Sequence, residues 1–167
     1  HVLNATHSAL AYLGIPRGHV YVRQAIADGE LADALDDMVR NEIAVALGSL
    51  PVKAYWRETK KRFANPNIDH ALAQIAEDGS KKLAVRIFPL LIENARLGRP
   101  SRRIAQVIRA WLAFARTQAP VKDPHAERLA HWARAGGDVV AALDDAQLFP
   151  EPFRTDAKAR AAILDTP

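Results

Sequence analysis

From Arg102 to Gln118 the apolar residues Ile104, Val107, Ile108, Trp111, Leu112 and Ala115 fall at i, i+3, i+4, i+7, i+8 and i+11, which is one face of an α-helix. Arg102, Arg109 and Arg116 recur every seven residues on the polar side. The same spacing governs most of the chain, as in Leu31, Leu35, Met38, Val39, Ile43 and Leu47. No stretch alternates convincingly in the two-residue period of a half-buried strand. Alanine is abundant and aromatic residues make up only 7%, which favours helices; 49% hydrophobic residues are enough to bury a core. The reading is an all-α fold, a single multi-helix domain over residues 1–167 with nine or ten helices.

Local signals divide those helices. Gly14 and Pro16 stop the first, and Val20–Ala27 and Leu31–Leu47 follow. Val52–Phe63 ends at Asn65-Pro66-Asn67, and Asp69 is placed to cap a helix reaching Glu77. At Asp78-Gly79-Ser80, Gly79 is expected to take the left-handed exit and Ser80 to cap the next start. Lys81–Leu97 is apolar nearly all round after Leu83, as expected of a central helix, and Pro89 should kink it. Ser101 is placed to cap Arg102–Gln118, Pro120 and Pro124 flank a loop, and helices follow at His125–Ala135, Asp138–Ala146 and Asp156–Leu164. Phe149–Phe153 reads as a turn.

Composition excludes several classes of function. Without cysteine there is no disulfide, thiolate nucleophile or Cys-ligated metal. That is compatible with the cytoplasm, the expected location. No apolar run reaches the roughly 18 residues of a membrane span. No phosphate-binding loop, Gly-x-Gly-x-x-Gly, Gly-x-Ser-x-Gly or His-Glu-x-x-His is present. His125 and His131 are not spaced to share a metal. The net charge of +4 is unevenly spread: Lys81–Arg116 holds nine cations against Glu93 alone, while Asp28–Glu42 holds six acids against Arg40. Such polarity steers anionic ligands.

The first helix contains two polar residues in an apolar run, Asn4 and His7. Three positions apart, they share one helix face. Asn4-x-x-His7-Ser8 running into Leu10-Ala11-Tyr12-Leu13-Gly14 resembles the catalytic helix of the mannitol dehydrogenase family, the long-chain polyol and sugar-acid dehydrogenases. Their motif is Lys-x4-Asn-x2-His. Asn4 and His7 match its last two members. The Lys would lie two residues before His1, so the chain is expected to be a fragment that begins inside its own motif.

A second cluster lies further on. Lys82 and Arg86 stand four apart on one face of an otherwise buried helix, which suits a cleft or an anion as well as solvent. Arg62-Phe63-Ala64-Asn65-Pro66, then Gln74-Ile75-Ala76-x-Asp78-Gly79-Ser80-x-Lys82, is similar to the family's second conserved stretch. Lys82 falls at a substrate-contacting Lys. Gln74 stands where mannitol-type members have Arg and where fructuronate and mannonate oxidoreductases are similar to this chain in having Gln. Ala84 replaces a Pro common at that place. The resemblance runs in order from His1 to about Ala119.

The resemblance implies a C-terminal substrate domain similar in fold to that of 6-phosphogluconate dehydrogenase. It also implies a preceding Rossmann-type domain, absent from this chain, that binds most of an NAD or NADP cofactor. The expected reaction interconverts a keto sugar or keto sugar acid of the fructuronate/mannonate type with its alcohol; a mannitol/fructose pair is the alternative. The missing Lys would be the base. Asn4 would hydrogen-bond the developing alkoxide and His7 would orient the reacting hydroxyl, the two catalytic assignments. Lys82 would hold a distal hydroxyl or carboxylate, with Arg86 and Gln74 as further substrate-binding candidates. This requires an amide, an imidazole and an ammonium from two helices to face one hollow. The isolated chain is expected to be inactive. Two rivals remain: a nucleic-acid-binding module using the Arg102, Arg109, Arg116 stripe, and a structural or dimerisation domain without a site.

Overall fold

The computed structural model describes residues 2–48, 50–118 and 121–166. His1, Ala119 and Pro120, where the resemblance begins and ends and a loop is expected, lie outside them. Helix α1 (Val2–Gly14) passes through a 3₁₀ turn (Ile15–Arg17) to α2 (Val22–Ala27). Helix α3 (Gly29–Asp37) runs through a π-helical segment (Met38–Ile43) into α4 (Ala44–Leu47). Then come α5 (Val52–Phe63), α6 (Leu72–Ala76), α7 (Gly79–Arg86), α8 (Phe88–Arg96) and α9 (Arg102–Thr117). The tail holds α10 (Ala126–Arg134), α11 (Val139–Asp144), α12 (Glu151–Thr155) and α13 (Ala157–Leu164). The only β-type pairing among the described residues is an isolated bridge between Tyr21 and Ala71, which ties α2 to α6.

The central helix is α1, not the Lys81–Leu97 stretch. Ala5, Ala9, Leu10, Ala11 and Tyr12 are all buried, and α2, α3, α5, α6, α7 and α9 pack around it. Small side chains permit that crowding. A Cβ on Gly14 would lie 3.1 Å from Leu72 Cδ1 and 3.2 Å from Ala25 Cβ. One contiguous apolar core joins these helices to the tail, where Phe149 stacks on Phe88 at 4.9 Å and Phe153 meets both rings. The Phe149–Phe153 stretch is therefore not merely a turn: it leads into α12 and plugs the core.

Several local expectations give way to long-range contacts. The Lys81–Leu97 helix does not kink at Pro89; it breaks at Ile87, and Pro89 sits in the first turn of α8. A helix's first N–H groups have no intrahelical acceptor, so a proline there loses nothing. Leu31–Leu47 is interrupted by the π segment, whose Glu42 carbonyl accepts a hydrogen bond from buried Asn94 at 3.1 Å. Ser101 does not cap α9. The Glu42 carboxylate does, accepting from the Arg103 and Ile104 N–H groups at 2.8 Å each. Asp69 pairs with Arg23 instead of capping α6. Gly79 is not left-handed; Asp78 is, at φ 56°.

Candidate active site

On α1, Asn4 is exposed and His7 half-buried, one turn apart. The His7 ring stacks at a tilt on Phe63 of α5, with centroids 4.5 Å apart, and meets His70 edge-on at 5.2 Å. The hollow beside it is small, about 110 Å³, and is lined by Leu3, His7, Val22, Arg62, Phe63, Ile68 and His70. Burial pushes the His7 imidazole down from its usual 6.5 to about 4, with help from nearby His70, Arg86 and Arg62. At neutral pH it is uncharged, so one ring nitrogen donates and the other accepts. Either ring nitrogen can therefore meet a hydroxyl group, one as donor and the other as acceptor.

Helix α7 packs against α1 and carries Lys82 and Arg86. Lys82 Nζ donates to the Ile75 carbonyl at 3.1 Å, which leaves two of its three N–H donors for other acceptors. Burial and the Arg86 charge lower the Lys82 ammonium, against the pull of Asp78 and Glu77. Burial likewise lowers Arg86. The Arg86 charge thus reaches both His7 and Lys82, placing α1 and α7 in one electrostatic neighbourhood.

The hollow beside His7 holds none of the other candidates: Asn4, Lys82, Arg86 and Gln74 are not among its lining residues. Asn4 shares the His7 helix, and the Arg86 charge acts on both His7 and Lys82. Gln74 is exposed on α6 and makes no side-chain hydrogen bond among the described residues. Arg62 and His70 also line this hollow. Arg62 belongs to the Arg-Phe-Ala-Asn-Pro block, and nothing in the local sequence marks His70.

The junction between α6 and α7 is held by two residues distant in sequence, Tyr12 and Asp123. Tyr12 donates to the Ala76 carbonyl at 3.0 Å, and burial, with Asp123 nearby, pushes its phenol well above the ordinary range. The neutral phenol braces the turn after α6. Asp123 accepts from the Ser80 N–H at 2.8 Å and the Ser80 hydroxyl at 2.5 Å. No group of three or more His, Asp or Glu side chains able to hold a metal occurs among the described residues. The arginine stripe of α9 is partly tied up: Arg109 donates to the Ile163 carbonyl at 3.4 Å.

Residues 1–159 match the family model described as the mannitol dehydrogenase C-terminal domain. A mannitol 2-dehydrogenase of Phaeosphaeria nodorum is 31% identical over 166 residues, covering 94% of this chain and 29% of the relative. One from Aspergillus fumigatus is 30% identical over 167 residues, covering 94% and 33%. Among solved structures, Pseudomonas fluorescens mannitol 2-dehydrogenase in ternary complex with NAD and D-mannitol superposes with a TM-score of 0.87 at 22% identity, over 98% of this chain and 35% of that one. A substrate-free D-sorbitol dehydrogenase gives 0.77 at 20% identity, over 98% and 36%. At these identities the structural likeness establishes the fold. The chain spans about a third of the length of these proteins.

Proposed function

The chain belongs to the mannitol dehydrogenase C-terminal domain family, and from that premise we propose that it is the substrate-binding part of a nicotinamide-dependent dehydrogenase. The reaction interconverts a secondary alcohol of an open-chain sugar derivative with its ketone. The observation that carries this reading is His7, held neutral on a buried helix beside the cations of α5 and α7.

The described residues offer no strand and no glycine-rich turn leading into a helix, so they do not fit a dinucleotide. Binding of NAD or NADP is assigned to a preceding domain. This domain's own work is to bind and orient. Neutral His7 donates to or accepts from the reacting hydroxyl. Asn4, on the same helix face, supplies an amide N–H to the oxygen as negative charge develops. Lys82 keeps two donors for a distal oxygen, and Arg86 holds the local potential positive. The base is assigned to the motif Lys that would precede His1.

The relatives favour a polyol and its ketose over the sugar acid expected from Gln74. The sugar-acid reading stays second, because Arg62 and Arg86 set positive charge beside His7 that suits a carboxylate. The deciding assay uses the full-length protein with NADH or NADPH and fructose, fructuronate or tagaturonate. Reduction of at least one is expected, and the ratio of kcat/KM for fructuronate to that for fructose ranks the two readings. No turnover with any of them overturns the proposal.

A further inference from the structure

The turn that joins α6 to α7 sits between the two elements that carry Gln74, Lys82 and Arg86. Its backbone is held in an uncommon state: Asp78 is the one non-glycine residue with positive φ among those described. Such residues persist only where their surroundings over-determine them, and they concentrate at functional sites. The surroundings here are unusually complete. Tyr12 holds the Ala76 carbonyl. A Cβ on Gly79 would overlap the Tyr12 hydroxyl and the Trp111 indole nitrogen. The Asp78 N–H donates to the Lys122 carbonyl at 2.9 Å, and Lys122 Nζ pairs with Glu77 at 3.0 Å.

Asp123 completes this clamp. Its two oxygens take three donors: the Ser80 N–H, the Ser80 hydroxyl and the His125 N–H, the last at 2.8 Å. An amide cannot replace the carboxylate. Whichever way an Asn side chain is turned, its NH2 group faces either the Ser80 or the His125 backbone N–H. The charged acceptor is therefore required by geometry, in a loop distant in sequence from the helix it holds.

Building on the substrate-binding reading of α7, we infer that Asp123 is a positioning residue, which through Ser80 and the Asp78 turn sets where Lys82 meets substrate. Lys82 lies within the first turns of α7, and its Nζ hydrogen bond reaches back across this turn to Ile75. A shift of the helix start moves the ammonium and leaves His7 and Asn4 where α1 holds them. Loss of the clamp is thus a loss of binding, not of chemistry.

The test is a double-mutant cycle in the full-length enzyme, using whichever ketone substrate it reduces. Asp123→Asn raises KM by about tenfold with kcat within about twofold. Lys82→Met does the same. The double variant is no worse than the poorer single one, because both remove one contact. Should Asp123→Asn fail to fold, Ser80→Ala takes its place: it keeps the backbone hydrogen bond, and its KM rise of about threefold must vanish on the Lys82→Met background. Multiplying KM effects, or a fall in kcat with KM unchanged, overturns the positioning role and leaves the dehydrogenase reading standing. Absence of turnover with every ketone overturns that reading and the positioning role with it.

Discussion

His7 combines a buried ring with cationic neighbours, and the consequence is a pH signature. The unfolded chain takes up this proton near 6.5, whereas the folded chain does so only near 4. Because the unfolded state binds more protons in that window, stability falls as pH drops from 6.5 towards 4. A ¹H–¹⁵N titration of the imidazole is expected to give a midpoint near 4. Urea midpoints at pH 7 and pH 4.5 should differ less in His7→Gln than in the parent. In the full-length enzyme, His7→Ala and Asn4→Ala are each expected to lower kcat/KM by about 10² to 10³, the usual effect of removing a group that meets developing charge. A midpoint above about 7 would remove the case for a neutral imidazole at neutral pH.

Helix starts supply the next test. Glu42 reaches from the π segment to cap α9, and its carboxylate is buried with two backbone donors on it. Glu42→Ala strands those donors and is expected to cost about 2–3 kcal/mol in urea unfolding. Two glycines at helix starts give a paired comparison. Gly79 opens α7 against Tyr12 and Trp111, so Gly79→Ala should destabilise by about 1–3 kcal/mol through overpacking. Gly29 opens α3 with nothing within 4 Å of an added Cβ and no positive φ. Gly29→Ala should therefore be neutral or stabilise by roughly 0.4–1 kcal/mol, by restricting the unfolded chain. Equal losses at both positions would show that the crowding at Gly79 is not what matters.

Across the fold, the tail and the centre share one core. Phe149 lies against Phe88, Phe153 and Trp111, with ring centroids 4.9, 5.1 and 6.0 Å away. Phe149→Ala should cost about 3–5 kcal/mol and lower the thermal midpoint of the entire helical assembly in one transition. A separate early transition for the tail alone would contradict a shared core. Residues 1–167 on their own are expected to show no turnover with NADH and any ketose or keto sugar acid, since both the base and the cofactor site are assigned outside them. Measurable turnover by this piece would move the chemistry into it.

Helical class, the pairing of Asn4 with His7 on one face and the placing of Lys82 and Arg86 four apart were legible without coordinates. Each depends on the 3.6-residue period, which is a local property of the chain. The family was legible for a related reason, since its motifs are short runs with fixed spacing. Chain order could not reveal that α1 lies at the centre, that the long helix breaks at Ile87, or that Arg62 and His70 stand beside His7. Nor could it find Asp123 on Ser80, 43 residues away, or Glu42 on Arg103, 61 away. A buried N–H takes whichever acceptor packing brings to it, and an imidazole loses its proton according to what excludes water around it. Both depend on neighbours in space, and packing alone decided who those neighbours are.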